Sequence, residues 1–182
     1  MADLKSKLET LNFASYRTKE EVVKDIRECI NNAGFNLVEE DTSRPWGAFF
    51  RLNNNNADEF VEDFFTDLSL EQARLGNSSA ELSPKILLVS PGQRLSWQYH
   101  RRRAELWKFI NSGGYHRSLT DTPGELLHSN SGDIVQFQTS ERHRLVGDPD
   151  HYTIVAEIWQ HTDSQQTSDE ADIVRLRDDY KR

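Results

Sequence analysis

Two hydrophobic periodicities divide the chain. Over residues 1–35 the apolar positions recur every three or four residues: Leu4, Leu8 and Leu11, then Val22, Val23, Ile26, Cys29 and Ile30. That spacing gathers them on one stripe of a helix. Thr18 followed three residues later by Glu21 forms a capping-box pattern at the start of the second helix, and Gly34 is its stop. A second helical stripe, Phe60, Val61, Phe64, Phe65 and Leu68, follows the run of four asparagines at 53–56 and carries acids on its other face. It reads as an insertion over about 57–76. Between the two, "SRPWGAFFRL" reads as a turn leading into a strand.

From Lys85 onward the texture changes. Short segments such as "KILLVS", "RLSWQYH", "ELWKFIN", "DIVQFQ" and "YTIVAEIWQ" are cut by Gly, Pro, Asn and Asp. Many short strands at this spacing predict a sandwich or barrel. The charged tail, "SDEADIVRLRDDYKR", is expected to end in a helical turn. The expected organisation is a helical N-terminal extension over 1–35 and a mainly β barrel domain over 36–182, interrupted by the helical insertion.

Composition narrows the function classes. A chain of 182 residues forms one domain that buries about 70% of the surface its unfolded chain exposes. Its net charge of −8 argues against a general binder of nucleic acid or anionic membranes, whose affinity comes from clustered Lys and Arg. The single cysteine, Cys29, allows no internal disulfide and fits a reducing compartment. The first ten residues lack the apolar core and cleavage site of a secretory signal. "ILLV" at 86–89 is too short to span a bilayer. A cytoplasmic location is expected.

Against that acidic background, "SWQYHRRRAELWKF" at 96–109 sets three arginines between a histidine and a glutamate. Gln98 and His100, two apart on a strand, point to the same face. A hairpin through "RRRA" would bring Glu105 across from them, and closure of a small barrel would bring His143 to the same interior point. Two imidazoles, a carboxylate and an amide oxygen make a mixed N/O site for a divalent first-row ion. A polar strand edge with a solvated turn satisfies the same spacing.

The motifs also resemble a known family. "RPWG" (Arg44 to Gly47), then "PGQRLSWQYHRRRAELW" (Pro91 to Trp107) preceded by Lys85 and Val89, then "HRL" (His143 to Leu145), then "DIVR" (Asp172 to Arg175) with Asp178, Tyr180 and Arg182, are similar in order and spacing to the cupin domain of type II mannose-6-phosphate isomerases. The resemblance spans Arg44 to Arg182 apart from the insertion. It implies a cupin barrel, a double-stranded β-helix of jelly-roll type, with a metal held by Gln98, His100, Glu105 and His143. The chain departs from the family pattern at Gln138 and Ser140, where P-x-G is common, and at Gly147, where Asn is common.

The implied activity is aldose–ketose isomerisation of a sugar phosphate: mannose 6-phosphate, or another hexose, pentose or heptose phosphate. One divalent ion, zinc first and manganese, iron, cobalt or nickel as alternatives, would act as Lewis acid. Arg103 and Arg175 are the expected catalytic residues, and with Lys85 they are the expected phosphate contacts. The general base stays open among a bound water, His128 and Glu157. Trp97 is expected to flank the site. An Fe(II) dioxygenase built on His100, Glu105 and His143, and a non-catalytic sugar-binding cupin, are the competing readings. The expected partner is a small-molecule sugar phosphate, not nucleic acid or membrane, and the analogy of fold implies a homodimer.

Overall fold

A computed structural model describes residues 3–181 of the chain. Arg182, the last residue of the family-like tail, lies outside them. Two short helices open it, α1 (Leu4–Glu9) and α2 (Lys19–Asn32). The capping box at the head of α2 is formed: the Thr18 hydroxyl accepts from the Glu21 amide, and the Glu21 carboxylate accepts from the Thr18 amide at 2.8 Å. All five residues of the predicted stripe, Val22, Val23, Ile26, Cys29 and Ile30, are buried.

Next come β1 (Leu37–Asp41) and β2 (Gly47–Leu52), then α3 (Ala57–Phe64) and α4 (Leu70–Ala73). The insertion is therefore two helices rather than one, because Ser69 caps a new helix start with Gln72. The remaining strands are β3 (Leu82–Val89), β4 (Trp97–Tyr99), β5 (Arg103–Phe109), β6 (Gly113–Ser118), β7 (Leu127–Ser129), β8 (Ile134–Phe137), β9 (Arg142–Val146), β10 (Thr153–His161) and β11 (Val174–Arg177). Strand β1 carries no sequence signal because its burial pattern is largely exposed. The tail forms the edge strand β11 where a helical turn is expected; its pairing with β4 outweighs local preference.

The strands form two antiparallel sheets ordered β1-β2-β3-β10-β5-β8 and β11-β4-β9-β6-β7. The eight strands from β3 to β10 divide into four and four, in the orders 3-10-5-8 and 4-9-6-7, with the chain crossing between sheets at every connection except β6–β7. That is jelly-roll connectivity, the double-stranded β-helix of cupins. The fold is therefore a mainly β cupin-like barrel with N-terminal and inserted helices. Among the described residues, no helix is long and apolar enough to cross a membrane.

The centre of the first sheet is buried on both faces. Along β3, β5 and β10 every residue is buried. Alternate residues, among them Ile86, Leu88, Leu106, Ala156 and Ile158, pack under the helices with Ile26, Phe60 and Phe64. The intervening residues, among them Leu87, Val89, Trp107, Phe109 and Val155, fill the barrel. Gly47 explains the glycine of "RPWG". Its φ is +152°, and a Cβ there would lie 1.9 Å from the Leu88 carbonyl oxygen, so only glycine lets β2 dock on β3.

One expected connection is different. Strands β4 and β5 do not form a hairpin: β4 pairs with β9 and β11, β5 with β10 and β8. The "RRRA" connection steps from one sheet to the other. Glu105 thus faces Gln98 and His100 across the barrel interior.

Candidate metal centre

Three strands bring the predicted donors together. Gln98 on β4 is register-paired with His143 on β9. His100 follows directly after β4, and Glu105 lies on β5. The side chains of His100, Glu105 and His143 are almost wholly buried, and their ligand atoms all lie within 4.8 Å of one another. His100 Nε2 is 3.1 Å from Glu105 Oε1, and His143 Nε2 is 3.2 Å from Glu105 Oε2. Ligands about 2.1 Å from a common ion lie about 3.0–3.4 Å apart at octahedral to tetrahedral angles.

Both imidazoles are held in the same tautomer. His100 Nδ1 donates to the Asp172 carbonyl at 2.6 Å, and His143 Nδ1 donates to the Glu141 carbonyl at 2.9 Å. The Nε2 atoms therefore present bare lone pairs to the interior, the arrangement by which neighbouring carbonyls orient metal-binding histidines. His143 Nε2 is buried without a hydrogen-bond partner, since its lone pair faces a carboxylate oxygen that also only accepts. An acceptor set of this kind, dry and with an orphaned nitrogen, fits a divalent cation. The His143 ring is fixed by a stack on Phe137 with centroids 4.6 Å apart and by the edge contact of Trp107.

Electrostatics favour the charge states that metal binding needs. Burial pulls the His100 ring below the ordinary imidazole range, which keeps it neutral. Burial pushes Glu105 upward, but the positive charge around it, with the Arg103 guanidinium 2.9 Å from Oε1, holds the carboxyl well below the usual range. Gln98 stands beside these donors with its Nε2 3.4 Å from His100 Nε2, while its Oε1 accepts from Ser96 Oγ at 2.5 Å.

The arginine triplet divides three ways. Arg101 is exposed. Arg102 donates to the Thr167 carbonyl and to Asp169. Arg103 turns inward: its Nε donates to Glu105 Oε1 at 2.9 Å, its Nη1 to Ser168 Oγ and the Asp169 carbonyl, and its Nη2 to His100 Nε2 at 3.2 Å. Its guanidinium stacks 3.7 Å from the centre of the Trp159 ring. The turn itself is held by Asp172, whose carboxylate accepts from the Arg101 and Arg102 amides and from Ser168. Those bonds outweigh the effect of burial and lower the Asp172 pKa. One residue of the "DIVR" motif thus shapes the triplet with its side chain and aims His100 with its carbonyl.

A cavity of about 60 Å³ opens beside the donors, with Glu105 and Gln98 among its lining and Trp46, Phe49, Leu87 and Leu95 as apolar wall. Its cationic lining is Arg44, Lys85, Arg103 and Arg175. Lys85 is buried, with its Nζ 4.3 Å from the Phe49 ring centre and 4.4 Å from that of Trp159, and pairs with Glu170. Glu157, also in the lining, accepts from the indoles of Trp107 at 3.0 Å and Trp159 at 2.9 Å. Burial, reinforced by Glu105, pushes its pKa up to about 8.

Of the bases left open by the sequence, Glu157 faces this cavity and His128 is exposed on β7. Trp97 does not line the cavity. It alternates with Gln98, is fully buried on the other face of β4, and donates to the Asp121 carbonyl. The roles of Asp172 and Glu170 escaped the sequence reading; both stand in "DEADI", but no local spacing ties them to partners 70 to 85 positions earlier.

No family model and no curated protein matches the chain. Solved structures similar in shape include a cupin 2 conserved barrel domain protein from Salinispora arenicola (19% identity over 44% of this chain and 64% of that one, TM-score 0.38). Others are a double-stranded β-helix protein from Klebsiella pneumoniae (16%, 52% and 69%, TM-score 0.42) and the oxalate decarboxylase of Bacillus subtilis (12%, 78% and 30%, TM-score 0.49). The chain spans less than two thirds of the length of the first and of the third. The fold assignment rests on the strand order rather than on these partial overlaps. The chain has a cupin-type barrel that encloses a His/His/Glu metal-binding site.

Proposed function

We propose that this protein is a metal-dependent aldose–ketose isomerase of a sugar phosphate, of the mannose-6-phosphate isomerase type. The observation that carries the reading is the pairing of a dry two-histidine, one-carboxylate cluster with a cationic cavity mouth. When bound, a divalent ion supplies Lewis-acid polarisation of the sugar carbonyl. His100, Glu105 and His143 would hold it. Gln98 joins them as a fourth donor if its amide turns by 180°, which aims Oε1 inward and leaves Nε2 to donate to Ser96.

The other residues divide the remaining work. Lys85, Arg175 and Arg44 supply positive charge for the phosphate. Arg103 fixes Glu105 and donates to the His100 lone pair that a bound ion would use. Glu157 is our choice of proton carrier between adjacent sugar carbons, because it lines the cavity and burial pushes its carboxyl up to about 8, within reach of both taking and returning a proton. The Trp107 and Trp159 indoles hold its two oxygens in place. The apolar wall keeps bulk water from the exchange.

The test is metal analysis of protein purified without chelator, followed by incubation with mannose 6-phosphate and related hexose, pentose and heptose phosphates. Aldose–ketose exchange read by NMR is the expected result. A metal-loaded protein that turns over none of them overturns the reading. The aim of Gln98 Oε1 at Ser96 favours one alternative, a three-ligand iron site of the dioxygenase kind. Copurifying iron with oxygen uptake would select it.

A further inference from the structure

The Lys85–Glu170 pair is asymmetric. Lys85 sits in the middle of β3, its side chain only 7% exposed, with its ammonium between the faces of Phe49 and Trp159. It is register-paired with Glu157 and Arg51 and cannot leave the wall without breaking the sheet. Glu170 lies on the segment between β10 and β11, and its side chain is 46% exposed. Its Oε1 lies 2.6 Å from Lys85 Nζ, and its side chain lines the cavity mouth beside Arg44, Arg103 and Arg175.

A buried ammonium strongly disfavours losing its counter-charge, whereas a half-exposed carboxylate regains water when it swings out. The pair is therefore easy to open on one side only. It opens without a cost to Lys85 only when another anion takes the vacated place. The backbone that carries Glu170 is anchored independently: Ser168 by His161 and Arg103, and Asp172 by the amides of Arg101 and Arg102. A rotation of the Glu170 side chain alone thus clears the position, and the metal donors stay aimed.

We propose that Glu170 is a built-in competitor for the anionic group of the ligand, a carboxylate plug that holds Lys85 until the phosphate monoester of a sugar displaces it. The inference rests on the phosphate-binding half of the function proposed above. Its consequence is selectivity. A neutral sugar gains nothing by reaching Lys85 and leaves the plug in place, whereas a phosphate ester exchanges one ion pair for another of greater charge. Displacement of Glu170 widens the cavity of about 60 Å³ for a ligand that carries the anionic group.

The experiment measures binding of inorganic phosphate, and of an alditol phosphate that cannot isomerise, to the metal-loaded protein by calorimetry. Removing the plug should tighten both. If Glu170 occupies Lys85 about nine-tenths of the time, Glu170→Gln and Glu170→Ala strengthen binding about tenfold, and the unphosphorylated alditol shows no such change. Asp163→Asn removes the same charge from the same segment without touching Lys85 and should leave phosphate affinity unaltered. Lys85→Met should weaken phosphate binding and erase the effect of Glu170→Gln in the double variant.

Phosphate affinity that is unchanged or weaker in Glu170→Gln overturns the proposal, as does an equal gain in Asp163→Asn. The two readings fail separately. Tighter phosphate binding without isomerisation of any sugar phosphate leaves the plug and removes the isomerase. Isomerisation by a protein whose phosphate affinity ignores Glu170 does the reverse.

Discussion

The two faces of the first sheet, drawn from the same strands, obey opposite rules. Ile86, Leu88, Leu106, Ala156 and Ile158 face the helices and join one apolar cluster with them, and the polar residues of that face, Lys108 and Gln160, lie toward the strand ends. One residue away, Lys85, Glu105 and Glu157 face the barrel, where each charge is met by an aromatic ring, an indole N–H or a counter-ion. Burying ionisable groups costs several kcal/mol apiece unless they are well partnered. The helix-covered face stabilises the sheet by ordinary hydrophobic burial, and that surplus lets the inner face stay polar and dry. The sheet is thus a rigid floor with stability on one side and chemistry on the other.

That contrast can be broken from either side. The largest effect is expected from the inner face: Glu105→Gln or His143→Ala should reduce bound metal below about a tenth of an ion per chain. Turnover should fall by about a thousandfold or more, with far-ultraviolet circular dichroism unchanged. Elemental analysis and a coupled isomerase assay read the two quantities. Next comes the outer face. Phe60→Ala empties a fully buried site and should cost about 3–5 kcal/mol by urea denaturation, while turnover per folded molecule persists. Equal losses of activity in both variants would erase the distinction between the faces.

A smaller effect sharpens it. Glu157 has an ordinary pKa of 4.5 and is pushed up to about 8 in the fold. Between those values the folded chain holds a proton that the unfolded chain releases. Its stabilising contribution is complete below the lower value and is lost as pH rises through the upper one, by up to ~1.4 kcal/mol per pH unit. Glu157→Gln should flatten that slope in chelator-treated protein, measured by denaturation at about pH 5, 6.5 and 8. The smallest effect belongs to the outer layer: Thr18→Ala removes the hydroxyl from the α2 capping box and should cost about 1 kcal/mol with no change in metal content.

Much of this design is visible in the linear chain, and unevenly so. The stripe of α2 and its Thr18–Glu21 cap are local, set by residues within one or two turns, and they read correctly without any tertiary information. The shared face of Gln98 and His100 is local too, since strand parity follows from the backbone. The convergence of His143 was conditional on closure of the barrel.

Elsewhere the local signal was insufficient. A four-residue connection between two strands serves a hairpin and a step between sheets equally well; the pairing of β5 with β10 and β8 decides, and it lies tens of residues away. The edge strand β11 is charged because one side of it faces water, so its composition imitates a helical tail. The sequence alone thus determined the helices, the alternation of strand faces and the kinds of donor atom available. Only the tertiary structure decided that Asp172 aims His100, that Glu157 stands in the cavity and that Glu170 rests on Lys85. Periodicity is written by neighbours along the chain, whereas burial, tautomer and counter-charge are set by residues that meet only after the barrel closes.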